Sequence, residues 1–238
     1  MKVKLLLITL LGLLSVSILA QPVKVFEIEN FEDEEVGKLP KRWFNQKGEA
    51  KPITYSGELR ETYHYEVLEE EENKFLRFNG KRGKHMSYPL LNSENLDIYE
   101  TPVLSWKWRV HEIPAGANEN ESDKNDVAAS IYVAFDLGRV LFKKVPKTIR
   151  YTWSSTLPVG TELSKFYGNQ KIIVVGMGDN KIGEWQSFDR NIVEDYKRLF
   201  GDPPPNKPIA ILILSDADNA SNISKADYDD LLLKSVQH

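Results

Sequence analysis

The chain is built from short alternating runs. Leu104, Trp106, Trp108 and Val110 alternate with Ser105, Lys107, Arg109 and His111. After a polar loop, Val127, Ala129, Ile131, Val133 and Phe135 alternate with Asp126, Ala128, Ser130, Tyr132 and Asp136. Side chains of a strand point to opposite faces with period two, so 103–111 and 126–136 each predict a strand with one apolar and one mixed face. Read as neighbours, the two strands make a half-buried sheet whose second face carries Lys, Arg, Tyr and Asp. Residues 148–155 repeat the pattern, with Ile149, Tyr151 and Trp153 set against Arg150, Thr152 and Ser154.

The rest of the chain predicts more short strands. Val23 to Phe31 reads as the opening one. Residues 62–67 and 75–78 are two more, separated by a solvated acidic turn over Glu69 to Asn73, and Met86 to Leu91 is another. The unbroken apolar runs Ile172 to Val175 and Ile209 to Leu214 predict strands buried on both faces. Residues 138–146 predict a loop or short hairpin, and Gly183 to Phe188 a strand carrying Trp185. Ile192, Val193, Tyr196, Leu199 and Phe200 recur at helical spacing, with Asp189 or Asn191 to cap the start, Gly201 to end the helix and Pro203 to Pro205 to stop it. Tyr228 to Leu233 closes the chain as a strand or short helix. About ten short strands and one helix point to an all-β, jelly-roll-like antiparallel β-sandwich with one short helix. No repeat or linker divides 21–238, which reads as a single domain.

Three features change this picture. Lys2 and Lys4 precede an apolar run from Leu5 to Leu14, and small residues lead to Ala20, so 1–20 reads as a secretory signal peptide with Gln21 or Pro22 at the mature start. That places the protein in the periplasm or outside the cell, with no transmembrane segment in the mature chain. The 238 residues contain no Cys, so neither disulfides nor thiol chemistry is available and the core alone must hold the fold. Net charge is −4 without a basic block, which argues against nucleic acid as a partner.

Candidate chemistry falls on the mixed strand faces. Lys107, Arg109, Asp126, Tyr132 and Arg150 are expected on one continuous surface, suited to an oxygen-rich ligand such as a glycan or another cell-envelope molecule. Arg109 and Arg150 can hold a carboxylate, and the excess of cations tilts the expectation toward an acidic sugar. The alternative on the same residues is an ordinary wet face with cross-strand ion pairs. Trp106, Trp108 and Trp153 sit at core positions, which leaves Trp43 and Trp185 as sugar-stacking platforms. Asp216 and Asp218 follow a buried strand and can join Asp126 as a hydrolytic carboxylate pair, as Ca²⁺ ligands, or as plain turn residues. His64, His85, His111 and His238 lack any zinc-site spacing. Gly176-Met-Gly178 is only a fragment of a dinucleotide fingerprint.

Trp106 through Asp126 to Phe135, Tyr151-Thr-Trp153, Leu157-Pro-Val-Gly160, Glu194-Asp-Tyr196 to Leu199-Phe-Gly201 and Ser215-Asp-Ala-Asp218-Asn219 together resemble the DUF3047 family of exported bacterial proteins. The resemblance implies bacterial export and a jelly-roll-like domain, and it assigns no mechanism. Asn30-Phe-Glu-Asp33 and Tyr228-Asp-Asp230 are similar to segments of sandwich carbohydrate-binding modules that hold a structural Ca²⁺ between first and last strands. That resemblance implies Glu32, Asp33, Asp229 and Asp230 as metal ligands. The leading expectation is a non-catalytic glycan- or envelope-binding sandwich. Its alternatives are a glycan hydrolase built on an Asp pair and a structural envelope protein that binds another protein.

Overall fold

In the computed structural model, the described residues are 22–45, 64–83, 85–140, 143–179 and 181–236. The expected signal segment and the Thr62 end of a predicted strand lie outside them. Two sheets stack face to face. The first has the order β11 (Gln186–Asn191), β6 (Val103–Glu112), β13 (Ser224–Lys234), β4 (Asn73–Gly80), β3 (Tyr65–Glu70), with β1 (Val25–Glu29) also paired to β13. The second runs β2 (Phe44–Asn45), β5 (Met86–Pro89), β12 (Ala210–Asp216), β7 (Val127–Val140), β8 (Lys143–Ser154), β10 (Gln170–Met177), β9 (Glu162–Lys165).

The alternation sets which side chains meet between the sheets. Leu104, Trp106, Trp108 and Val110 of β6, with Leu76, Phe78, Tyr228, Leu231 and Leu233, pack against Ile131, Val133 and Phe135 of β7, Ile149, Tyr151 and Trp153 of β8, and Ile211 and Ile213 of β12. The three tryptophans assigned to the core are buried there. Trp108 meets the rings of Trp106, Phe188, Trp153 and Tyr228 at centroid distances of 5.2–6.5 Å.

Local signals explain several details. The turn between β3 and β4 is Glu71-Glu72, both at positive φ (51° and 65°), as a two-residue hairpin requires. Helix α1 (Ile192–Phe200) starts where the Asn191 side chain accepts the Glu194 N–H, and it ends at Gly201 in the left-handed region. Tyr228 to Leu233 lies within a strand. One departure from an antiparallel sandwich is the pairing of β10 with β8, which is parallel. The glycines of the discarded fingerprint fragment serve packing. A Cβ on Gly176 would stand 2.4 Å from the Trp153 ring, and the Gly178 carbonyl accepts the Trp153 indole N–H at 2.9 Å. Among the described residues, no helix is long and apolar enough to cross a membrane.

Candidate functional site

The face predicted as one surface is divided between the two sheets. β6 does not neighbour β7: it pairs with β11 and β13, while β7 pairs with β12 and β8 in the opposite sheet. Both strands turn their apolar residues inward, so their polar residues point outward in opposite directions. Lys107 and Arg109 lie on the outside of the first sheet. Tyr132 and Arg150 lie on the outside of the second, with Asp126 and Asp216 at one end of it.

The first outer face carries a groove of about 700 Å³. Its wall is aromatic and cationic: the Arg109 guanidinium lies over the Trp185 ring at 4.7 Å and the Phe75 ring at 5.2 Å, and Phe75 meets Trp185 edge-on at 5.5 Å. Trp185 precedes β11 and remains partly exposed, whereas Phe75, although outward-facing, is covered. Glu70, Asn73, Lys107, Ser187 and Asp229 supply polar groups to the same groove. Every cation here has a counter-ion. Lys107 meets Asp230 at 2.6 Å, and Arg109 meets Glu70 and Asp227, each at 2.7 Å. Asp230 reaches Lys107 because β13 carries one extra residue at this point: Asp229 faces Lys107, the next pair on β6 is Ser105 with Leu232, and Asp230 has φ of 48°. These pairs remove the excess of positive charge on which an acidic sugar was expected at Lys107 and Arg109.

Two carboxyls respond to this setting in opposite directions. Asp229 accepts from the Asn73 amide at 3.0 Å, and burial pushes its carboxyl up to about 6. For Asp227 burial acts upward too, but hydrogen bonds from Arg77 and His111 and their charges hold it below the ordinary carboxylate range.

On the second sheet, Asp126, Asp216 and Asp218 do come together, with one carboxylate oxygen of each within 4.8 Å of the others. These hard oxygens are the kind Ca²⁺ takes. Asp126 already accepts the backbone and side-chain N–H of Asn219 (3.0 and 3.2 Å), and Asp216 accepts the Gly83 N–H at 2.8 Å, as turn residues do. Burial, more than the neighbouring acids, pushes the Asp216 carboxyl up to about 6. Further along this face Arg150 is 1% exposed, bonded to Ser130 Oγ at 2.9 Å and Asn125 Oδ1 at 3.3 Å, with its guanidinium 5.4 Å from the Tyr132 ring centre. A cavity of about 360 Å³ lies on the same outer face, lined by His85, Tyr132, Thr148, Phe166, Gln170 and Leu212 among others.

Two expectations are corrected. Trp43 is no platform: it is fully buried between Phe31 and Tyr88, with its indole N–H on Glu29 at 3.2 Å. The chain-end acids do not converge either. Glu32 accepts the Lys74 N–H, Asp229 pairs with Asn73 and Asp230 with Lys107, and the acidic groups that gather at metal-binding spacing among the described residues are Asp126, Asp216 and Asp218. Sequence reasoning also missed Phe75 and Asn73. The signal was Phe75-Leu76, consecutive apolar residues that place one large ring on the outer face.

Two stacked sheets with one short helix define a jelly-roll-like β-sandwich. The chain belongs to the family described as a protein of unknown function (DUF3047), which matches residues 42–232. No curated protein matches it by sequence. Among solved structures it is similar to the family 30 carbohydrate-binding module of a cellulosomal cellulase of Clostridium thermocellum, at 11% identity and TM-score 0.44 over 90% of this chain and 99% of that one. The family 11 carbohydrate-binding module of another Clostridium thermocellum cellulase gives 10% identity and TM-score 0.44 over 92% and 98%. Endoglucanase 3 of Trichoderma harzianum, from family GH12, gives 8% identity and TM-score 0.40 over 90% and 98%.

Proposed function

We propose that this protein is an exported, non-catalytic sandwich that binds a carbohydrate in the groove on the outer face of its first sheet. The observation that carries the reading is Trp185, a partly exposed ring backed by Arg109 and Phe75 in a groove lined with carboxylate, amide and hydroxyl groups. A flat ring suits the apolar face of a pyranose, and the groups around it suit its hydroxyls. Since the groove's cations are already paired, the ligand that fits is a neutral, hydroxyl-rich chain of sugars. Exposing the protein to a glycan array identifies the ligand. Trp185→Ala should then weaken binding by about 2 kcal/mol, roughly 30-fold, as loss of an aromatic anchor does. Equal binding by parent and variant would move the site away from the groove.

A hydrolase built on Asp126 with Asp216 or Asp218 has its carboxylates gathered, but at the end of the opposite sheet from Trp185. The groove therefore favours binding over hydrolysis. Export rests on the N-terminal sequence. Protein recovered from the producing cell should begin near Gln21, and N-terminal sequencing that finds Met1 on the mature product would remove the periplasmic or secreted assignment.

A further inference from the structure

We infer that the cavity on the outer face of the second sheet is a binding site, separate from the first groove, for a small uncharged aromatic molecule bearing a hydroxyl group, a phenol. The first observation is an apolar surface where a wet one is the rule, since the outer face of an antiparallel sheet is ordinarily solvated. Tyr132, Ala134 and Leu212 line the cavity, and with Val127, Ala210 and Leu214 they form an apolar cluster distinct from the core between the sheets. Strand pairing explains the hollow. Ala134 stands opposite Thr148 and Thr148 opposite Gln170, so one row across β7, β8 and β10 holds two short side chains. Tyr132 and Leu212 pair in the next row, and Gln170 stands at the far end of the first, so longer side chains border the short ones. The resulting space of about 360 Å³ lies at the lower end of the range for small-molecule sites, the size that suits a single ring.

The second observation is the chemistry of the lining. Among the described residues that line the cavity, none carries a formal charge at neutral pH: burial, and then the charge of Arg150, push the His85 imidazole down to about 4. A charged ligand would give up water there without meeting a counter-ion in the wall. Aromatic rings are well represented. Phe166 and Tyr132 line the space, and His85 meets Tyr132 edge-on at 5.0 Å. The Thr148 hydroxyl, the Gln170 amide and the neutral imidazole can each donate and accept. A few such groups in a mainly apolar wall suit a ligand with one hydroxyl, not a sugar that carries a ring of them.

The third observation is the rim. Phe166 and Tyr167 adopt left-handed conformations, φ 49° and 56°, in the turn between β9 and β10. Consecutive bulky residues rarely sit there. The turn is tied down beside the hollow: the Asn169 N–H donates to the Phe166 carbonyl at 3.2 Å, and the Asn169 carbonyl accepts the Thr148 N–H at 2.8 Å. A costly backbone conformation thus holds the Phe166 ring, 62% exposed, at the cavity.

The test is calorimetric titration of the full chain carrying Trp185→Ala, so that the aromatic wall of the first groove cannot contribute. The probes are p-cresol, toluene, 4-hydroxyphenylacetate and glucose. p-Cresol should saturate one site and bind at least about tenfold more tightly than each of the others. Toluene lacks the hydroxyl, 4-hydroxyphenylacetate brings a charge to be desolvated, and glucose lacks the apolar ring. Adding Phe166→Gly should weaken p-cresol binding about tenfold while the melting temperature stays or rises, because glycine adopts the left-handed region freely and an exposed ring leaves no gap in the core. Absence of saturable p-cresol binding overturns the proposal, as does any of the other probes binding as tightly. Undiminished p-cresol binding after Phe166→Gly overturns it too. Glycan binding by the first groove is untouched by every one of these outcomes, since Trp185 is missing from the protein titrated.

Discussion

Trp108→Ala should remove about 3–5 kcal/mol of stability, the usual cost of deleting a large aromatic from a packed core. The ring is fully buried where β6, β8, β11 and β13 meet, and four other aromatic rings pack on it, so the space it leaves cannot collapse without moving several of them. At about 2–4 °C per kcal/mol for a domain of this size, the melting temperature should fall by roughly 10 °C. One feature works the other way: among the described residues the buried Trp108 indole N–H finds no partner. Trp108→Phe, which keeps a ring and drops that donor, should therefore cost much less, below about 2 kcal/mol. Urea denaturation of the two variants checks both values. A loss below about 1 kcal/mol for the alanine variant would mean that the ring contributes no more than a surface side chain.

The contrast between these strands and the site shows what a sequence can and cannot carry. Period two gives each strand an inside and an outside, and it placed Trp106, Trp108 and Trp153 correctly because burial of either face is decided along the strand itself. It says nothing about which sheet a strand joins. The polar loop between β6 and β7 can lead back beside β6 or across to the other sheet, and in a sandwich both results show the same alternation. The loop crosses, so Lys107 and Arg109 part company with Tyr132 and Arg150. Helix α1 was legible because Asn191 and Gly201 are local signals. The parallel pairing of β10 left a trace in Ile172 to Val175, since strands buried on both faces read as unbroken apolar runs, but the run does not state direction. Counter-ions were the least legible feature. Arg109 is neutralised by Asp227, more than a hundred residues later in the chain, and nothing in its own neighbourhood announces that.

That pair sets the other large effect. Asp227→Asn should cost about 3–5 kcal/mol near neutral pH, because it strips the shared counter-ion from two mostly buried arginines. Asp227 is itself fully buried and accepts from Arg77 Nε at 2.6 Å, Arg109 Nε at 2.8 Å and His111 Nε2 at 2.7 Å. An amide in its place offers one acceptor and turns a donor toward these cations. The pH dependence has a definite sign. The folded protein holds the Asp227 carboxyl below its ordinary range, so the stability it contributes is complete above the unfolded value near pH 4 and is lost as pH falls through the folded value. The parent should weaken in that acid window, the asparagine variant should weaken less, and the gap between them should close. A gap that stays constant from pH 7 to pH 2 would show that lost packing, not charge, accounts for the difference. The variant also reaches the groove. With Asp227 neutral, Glu70 is the one counter-ion left to Arg109 among the described residues and the guanidinium is less firmly held against Trp185, so glycan affinity should fall together with stability. Lys107, paired independently with Asp230, should keep its place.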